Sequence, residues 1–495
     1  METKPKEYWK EQAARLSCRT DPFIDGTFVP PVGGGRFDSV NPATGAVLAR
    51  VAACDGADMD RAVAAARAAF ADGRWSGLPP AKRKRVLLRL AELVRAHGEE
   101  LALTESLDMG KPIRDALAVD VPGTAEAFAW TAEAIDKIYG EIAPTAAQDL
   151  ALVTREPVGV VGAVVPWNFP LLMASWKVAP ALAMGNSVVL KPAEQSSLSA
   201  LRLAVLAVEA GIPAGVFNVV PGLGAVAGQA LGLHADVDCV SFTGSTVTGS
   251  KFLDYAARSN LKQVHLETGG KSAQVVFADA PDLDRAARAI AMGIFFNQGQ
   301  VCNAGSRLLV ERSVKDRLLA AIIDHACKLQ PRDPLDPETR LGVLVSEEHA
   351  ARVAGFVERA VHQGARLACG GERVGCFMLP TVLDGVTPDM EIAQEEVFGP
   401  VLAVTAFDGE DEAVALANST RYGIAAGLWI SGLERAHRVA RRLQAGLVWV
   451  NCYDVASMTV PFGGVRQSGF GGRDRSLHAF DKVTQLKTTW IRLGR

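Results

Sequence analysis

The sequence predicts an α/β protein built on doubly wound, largely parallel sheets. Three observations carry that prediction. Short apolar runs alternate with helical stretches from Val158 onward. Those runs are continuously apolar, as strands covered on both faces must be. The chain, at 495 residues, is also too long for a single hydrophobic core, so two or three domains are expected.

Taken in order, "METKPKEYWKEQ" has no apolar core and no small-residue cleavage site, and does not read as a secretory signal. "DMDRAVAAARAAF" and the segment Ala81 to His97 follow the helical period, with Asp58 expected as an N-cap. The run "KRKR" from Lys82 to Arg85 opens the second of these helices and reads as a solvated turn rather than a nucleic-acid patch. Val158 to Leu190 carries one formal charge, Lys177, and is long enough to span a bilayer. Pro166, Asn168, Pro170 and Pro180 break it, and "GVVGAVV" and "NSVVL" read as strands around a helix. It is therefore expected in a buried core. "GVFNVV", "VDCVSF" and "KQVHL" continue the rhythm, and "AQVVFA" and "RLLVE" begin a second α/β unit. The closing "LKTTWI" alternates enough to form an edge strand.

Composition narrows the function. Net charge is −3 and hydrophobic residues make up 49%, so neither nucleic acid nor an acidic membrane is expected as a partner. Eight scattered cysteines contain no CxxC pair, which suits a reducing, cytoplasmic setting, and no histidine or cysteine cluster points to a metal.

Chemistry concentrates in three short stretches. In "GQVCNAG", Cys302 stands between small and polar residues with Gly299 and Gly305 near each end, an open and mobile-looking setting for a nucleophilic thiolate. Read alone, an inert buried cysteine is as good an account. In "HLETGGKS", Glu267 ends a strand beside two glycines, where a general base would stand, although a cap or a pair with Lys271 fits equally. In "PWNFP", Asn168 offers an amide in a rigid loop, as an oxyanion site requires, or simply marks a turn. Two glycine motifs, Gly222 to Gly228 and "FTGSTVTG" from Phe242 to Gly249, compete to hold a pyrophosphate; spacing does not separate them.

Together, "VVPWNFPLLMASWKVAPALAMGNSVVLKPAE", "FTGS", "LETGGKS", "FNQGQVCNAGSR", "EEVFGPV" and "PFGGVRQSG", in this order, resemble the NAD(P)-dependent aldehyde dehydrogenase superfamily from about residue 20 to the C-terminus. "EYWKEQ", "MTVPFGG" and "SLHAFDKVTQLKTTWI" are similar to bacterial enzymes acting on aminoaldehydes, including γ-glutamyl-γ-aminobutyraldehyde and 4-guanidinobutyraldehyde dehydrogenases. The resemblance implies an aldehyde dehydrogenase-like fold. A Rossmann-type cofactor domain would comprise residues 19–136 and 158–267, a catalytic domain 268–470, and a small β oligomerisation arm 137–157 and 480–495. The arm would join copies into a homodimer or homotetramer.

The same resemblance implies the reaction: NAD-dependent oxidation of an aldehyde to an acid through a cysteine thiohemiacetal and thioester. Cys302 would be the nucleophile, Asn168 the oxyanion donor, Glu267 the base and Lys177 a supporting lysine near the site. Trp167, Lys191, Glu194, Gly224, Gly244, Ser245, Gly249, Glu396 and Phe398 fall where the family binds the dinucleotide, and the Glu194 carboxylate favours NAD over NADP. Phe169, Met173, Trp176, Phe296, Val301, Asn303, Asp454 and Phe462 align with its aldehyde tunnel, which Ala456 would widen. Asp120 matches an acidic position near the tunnel mouth, or is a helix N-cap. Thr268 is expected to hydrogen-bond near Glu267, and an extra glycine in "SGFGGRD" casts doubt on Asp474 as a relay partner. Related readings, a CoA-acylating enzyme or an acyl-phosphate reductase, are disfavoured by Glu267, and a non-enzymatic protein of the same fold by the intact Cys302, Glu267 and Asn168.

Overall fold

A computed structural model describes residues 4–493. Two large sheets dominate it. The first has eight strands, with a parallel centre formed by Phe217–Val219, Ser187–Lys191, Val160–Val164, Cys239–Thr243 and Gln263–Glu267. Short antiparallel strands extend both edges: Phe23–Ile24 pairs with Phe217–Val219, and Gly469–Phe470 pairs with Gln263–Glu267. The central strands are buried at every position, which is why the sequence shows no alternation there.

The second sheet has seven strands, among them Ala273–Val276, Arg307–Glu311, Val401–Phe407 and Ala425–Trp429 in parallel register. All seven of its strands follow Glu267 in the chain, whereas Gly469–Phe470, later still, crosses back to complete the first sheet. The arm is a three-stranded antiparallel sheet in which Asp149–Pro157 lies between Glu141–Ala143 and Thr484–Arg492. The last two positions of the expected arm, 494 and 495, lie outside the described residues.

Local rules account for most boundaries, and several expectations need correction. The helix Gly56–Ala71 is capped by Asp55, whose side chain accepts from the amides of Ala57 and Asp58. Asp58 instead reaches back to the Asp55 amide, so the pair forms a reciprocal capping box and Asp58 is its third helical residue. In "KRKR", Arg83 is not solvated: it is buried, and its guanidinium donates to the carbonyls of Leu78 (2.5 Å) and Ala183 (3.1 Å). The would-be span resolves into a strand, the helix Pro170–Ala183 and a second strand. Pro180 sits inside that helix rather than ending it. Among the described residues no helix is long and apolar enough to cross a membrane.

Candidate active site

A cavity of about 810 Å³ lies between the two large sheets, and most of the expected catalytic, cofactor and substrate residues line it. One end holds Lys191, Glu194, Gly224, Gly244 and Ser245; the other holds Asn168, Phe169, Met173, Trp176, Phe296, Val301, Cys302, Asn303, Asp454 and Phe462. Trp167, Glu396 and Phe398 also line it.

Cys302 is partly buried, and its thiol is pushed up to about 12, first by burial and then by the charges of Glu396, Glu267 and Asp454. The flanking glycines are not a source of mobility. Gly299 has φ +69, and a Cβ there would collide with the Gly399 carbonyl; one at Gly305 would run into the Gln274 side chain. They let the cysteine loop pack tightly against its neighbours.

Asn168 is buried and donates one amide hydrogen to the Gln300 carbonyl at 2.8 Å. An amide carries two donors, so this bond fixes the group and leaves the second hydrogen. Asn297 braces the same loop, donating to the carbonyls of Asn168 (3.1 Å) and Gln300 (3.2 Å). Asn297 and Gln298 hold positive φ values of 48° and 56° just before the cysteine loop. Neither was singled out from sequence, where only an unusual density of amides, "FNQGQ", marks the stretch.

Glu267 does not line the cavity. It is buried behind it, accepting from the Gly464 amide at 3.3 Å. Burial raises its pKa to about 8, with Asp474 raising it further and Lys177 and Lys482 opposing. Lys177 is also behind the wall, donating to Asp474 at 2.5 Å, and Lys482 binds the other Asp474 oxygen. Burial opposes ionisation of Asp474, yet these two cations hold it down to about 2. The extra glycine therefore does not displace Asp474 from the site. Thr268 points elsewhere, donating to the Gln467 carbonyl at 2.6 Å.

At the other end, Lys191 donates to Glu194 at 3.2 Å. Ser245 caps the helix Thr246–Ala257 by accepting from the Thr248 amide. Gly249 lies in that helix away from the cavity; a Cβ there would press on Thr268 at 3.0 Å, so its smallness serves helix–sheet packing. Glu396 accepts from the Gly270 amide at 2.9 Å, and burial lifts its pKa to about 7. Phe398 (φ 59) meets Trp167 edge-on at 5.3 Å.

Asp120 requires the largest correction. It is fully buried and ion-paired with Lys111, and it caps no helix. Lys111 in turn lies 3.7 Å from the centre of the Phe169 ring. The pair stands behind the aromatic wall, while the neighbouring Val119 reaches the cavity. Residues Ala116–Asp120 form a π-helical turn, which rotates the faces relative to an α-helix. A residue that sequence reasoning missed, Arg475, lines the cavity against Trp176 and Phe462.

Comparison with known proteins agrees with this geometry. The aldehyde dehydrogenase family model matches residues 28–489. The NADP/NAD-dependent aldehyde dehydrogenase PuuC of Escherichia coli (strain K12) is 53% identical over 488 residues, 98% of each chain. The crystal structure of an indole-3-acetaldehyde dehydrogenase complexed with NAD+ superposes with a TM-score of 0.98 at 54% identity, covering 99% of this chain and 100% of that one. That of a γ-glutamyl-γ-aminobutyraldehyde dehydrogenase from Burkholderia cenocepacia J2315 does so with 0.97 at 55% identity and the same coverage. A match of sequence and fold along nearly the whole chain leaves one conclusion: the chain belongs to the aldehyde dehydrogenase family.

Proposed function

We propose that the protein oxidises an aldehyde to a carboxylic acid with NAD, by way of a thiohemiacetal and then a thioester on Cys302. The observation that supports this most is the single cavity joining Cys302 and Asn168 to Lys191, Glu194, Ser245 and Glu396. These residues fit a dinucleotide. A Cβ at Gly224 or Gly228 would meet no protein atom, so space lies open in front of them. The N-terminus of helix Thr246–Ala257 faces the same space with amides suited to a pyrophosphate. Lys191 and Glu194 would hold ribose hydroxyls, and Glu396 and Phe398 the nicotinamide end. When bound, NAD supplies the hydride acceptor.

Burial keeps the Cys302 thiol protonated near neutral pH, so its attack on the aldehyde carbon is coupled to proton loss. The oxygen that gains negative charge rests on the Asn168 amide and the Cys302 backbone N–H. Loss of hydride from the same carbon leaves the thioester. Glu267 then takes a proton from water as the water oxygen bonds to the thioester carbon, and the C–S bond breaks to release the acid and the thiol. A carboxylate of pKa about 8 is well matched to that task near neutral pH. Lys177 and Asp474 set its proton affinity.

The polyamine-derived aldehydes named for relatives are the proposed substrate class, with general aliphatic or aromatic aldehydes as the second reading, favoured by walls of Phe169, Trp176, Phe296 and Phe462. We propose NAD over NADP on the Glu194 carboxylate, with Lys191 beside it limiting the discrimination. The arm leaves Leu486, Trp490 and Ile142 exposed, which supports pairing of copies into a homodimer or homotetramer. Eight free cysteines support a cytoplasmic setting.

The test is initial-rate NAD reduction with acetaldehyde, hexanal, benzaldehyde, 3-aminopropanal, 4-aminobutanal, its γ-glutamyl derivative and 4-guanidinobutanal, with Cys302→Ala alongside. Highest specificity constants for the amine-derived aldehydes are expected, with activity lost in the variant. Preference for plain aldehydes selects the second reading; no oxidation, or full activity in Cys302→Ala, removes the reaction itself.

A further inference from the structure

Of the two cavity-lining arginines that the reaction above does not use, Arg352 donates to the Val397 carbonyl at 2.8 Å, whereas Arg475 has no such partner. It is 6% exposed, and its guanidinium makes no hydrogen bond or ion pair among the described residues; its Nε is fully buried without a partner. A buried cation in that condition is costly unless something compensates it. Two aromatic faces do so in part, with Trp176 and Phe462 centred 5.0 and 4.9 Å from it. They leave the planar N–H fork, which binds carboxylates in bidentate fashion, without an acceptor.

The backbone holds this placement firmly. Asp474 and Phe462 exchange two backbone hydrogen bonds, at 2.7 and 2.8 Å. Arg475 and Ser476 follow with φ values of 58° and 51°, two successive left-handed residues with side chains. Such conformations persist where the surroundings over-determine them, and they gather at ligand sites. Here they turn the chain sharply beside Phe462, with the Arg475 side chain on the cavity. Asp454 lines the same end, fixed by a hydrogen bond from Asn303 at 2.8 Å. It acts on Arg475 electrostatically without reaching it.

We infer that Arg475 is a specificity-determining residue that binds a carboxylate carried by the aldehyde substrate. An α-ammonium carboxylate head group meets both charges, its carboxylate on Arg475 and its ammonium toward Asp454. An aldehyde whose far end is only cationic meets a like charge at Arg475. The inference rests on the aldehyde-oxidising reading and narrows it: among amine-derived aldehydes, those acylated with an amino acid are favoured over free aminoaldehydes.

The experiment compares four aldehydes sharing a four-carbon reacting chain: butanal, 4-aminobutanal, succinic semialdehyde and γ-glutamyl-γ-aminobutyraldehyde. Each is run with NAD on the wild-type enzyme, Arg475→Gln and Arg475→Lys. In wild type, kcat/KM for the two carboxylated aldehydes exceeds that for 4-aminobutanal. In Arg475→Gln that ratio falls roughly 10- to 100-fold, the loss expected of a charge-assisted hydrogen bond, and it falls through KM. Arg475→Lys, which keeps the charge and loses the fork, retains part of the ratio. Should Arg475→Gln fail to fold, wild type and Arg475→Lys decide alone.

Equal or better use of 4-aminobutanal by wild type, or a ratio untouched by either substitution, overturns the inference while leaving aldehyde oxidation standing. Failure of wild type to oxidise any of the four removes both.

Discussion

Two buried charge clusters flank the cavity, made of the same residue types in opposite proportions. Near Glu267, one carboxylate, Asp474, is shared by Lys177 and Lys482. Behind Phe169, one ammonium, Lys111, pairs with Asp120, and the nearby Glu105 carboxyl feels both charges. In the first, excess positive charge keeps Asp474 ionised and partly offsets the burial that raises Glu267. In the second, burial raises both carboxyls, the charge of Asp120 raises Glu105 further, and Lys111 opposes the rise in both. The first cluster acts on Glu267, the proposed base; the second ends at an aromatic ring, which Lys111 backs at 3.7 Å. Stoichiometry and placement, more than residue type, separate a cluster that tunes a base from one that braces a wall.

Breaking the first cluster should have the larger effect. Asp474→Asn leaves two buried lysines without their carboxylate and should cost about 3–5 kcal/mol of stability, read from chemical denaturation. It also removes a charge that raises the pKa of Glu267, so the rising limb of the pH–rate profile moves to lower pH. Asp120→Asn should cost less, about 1–3 kcal/mol, because removing its charge lowers the pKa of Glu105, whose carboxylate then offsets the lost partner of Lys111. Its pH limb should stay where wild type has it. A shift there would show that the second cluster also reaches the base.

The wild-type limb itself sharpens the comparison. In the proposed reaction the ionised form of Glu267 is the base, so turnover limited by thioester hydrolysis should rise with pH through about 8, measured as kcat from initial rates. A limb near the ordinary carboxylate range would mean that burial does not govern Glu267. The smallest effect belongs to Glu105→Gln. A carboxyl whose ionisation burial opposes is exchanged for an amide whose oxygen still accepts from the Leu171 amide, a bond of 2.7 Å in the native chain. The stability change should stay under about 1 kcal/mol, and a loss above ~3 kcal/mol would mean that Glu105 is ionised.

The sequence marked most of the residues that the structure gathers on one cavity because those residues lie in short motifs that the family resemblance picks out, as in "KPAE" and "FTGS". What it hid depends on distant backbone. Gly299 looks mobile until the Gly399 carbonyl is seen to fill the space beside it. Asp120 faces away from the cavity at the end of a π-helical turn, which no local composition announces. Asp474 looks displaced by the added glycine, yet the bridge to Phe462 fixes it within reach of Lys177. Arg475 was invisible for the same reason, since only that bridge and two left-handed residues turn a surface-type side chain inward.

The central claim is a thioester on Cys302 hydrolysed with help from Glu267. Its most direct test is intact-mass and peptide analysis of Glu267→Gln enzyme, acid-quenched after mixing with NAD and a good aldehyde. The account predicts one acyl group per chain on the peptide holding Cys302, with steady-state turnover reduced roughly 10²- to 10⁴-fold. Undiminished turnover, or an acyl group carried by a different cysteine, would contradict it.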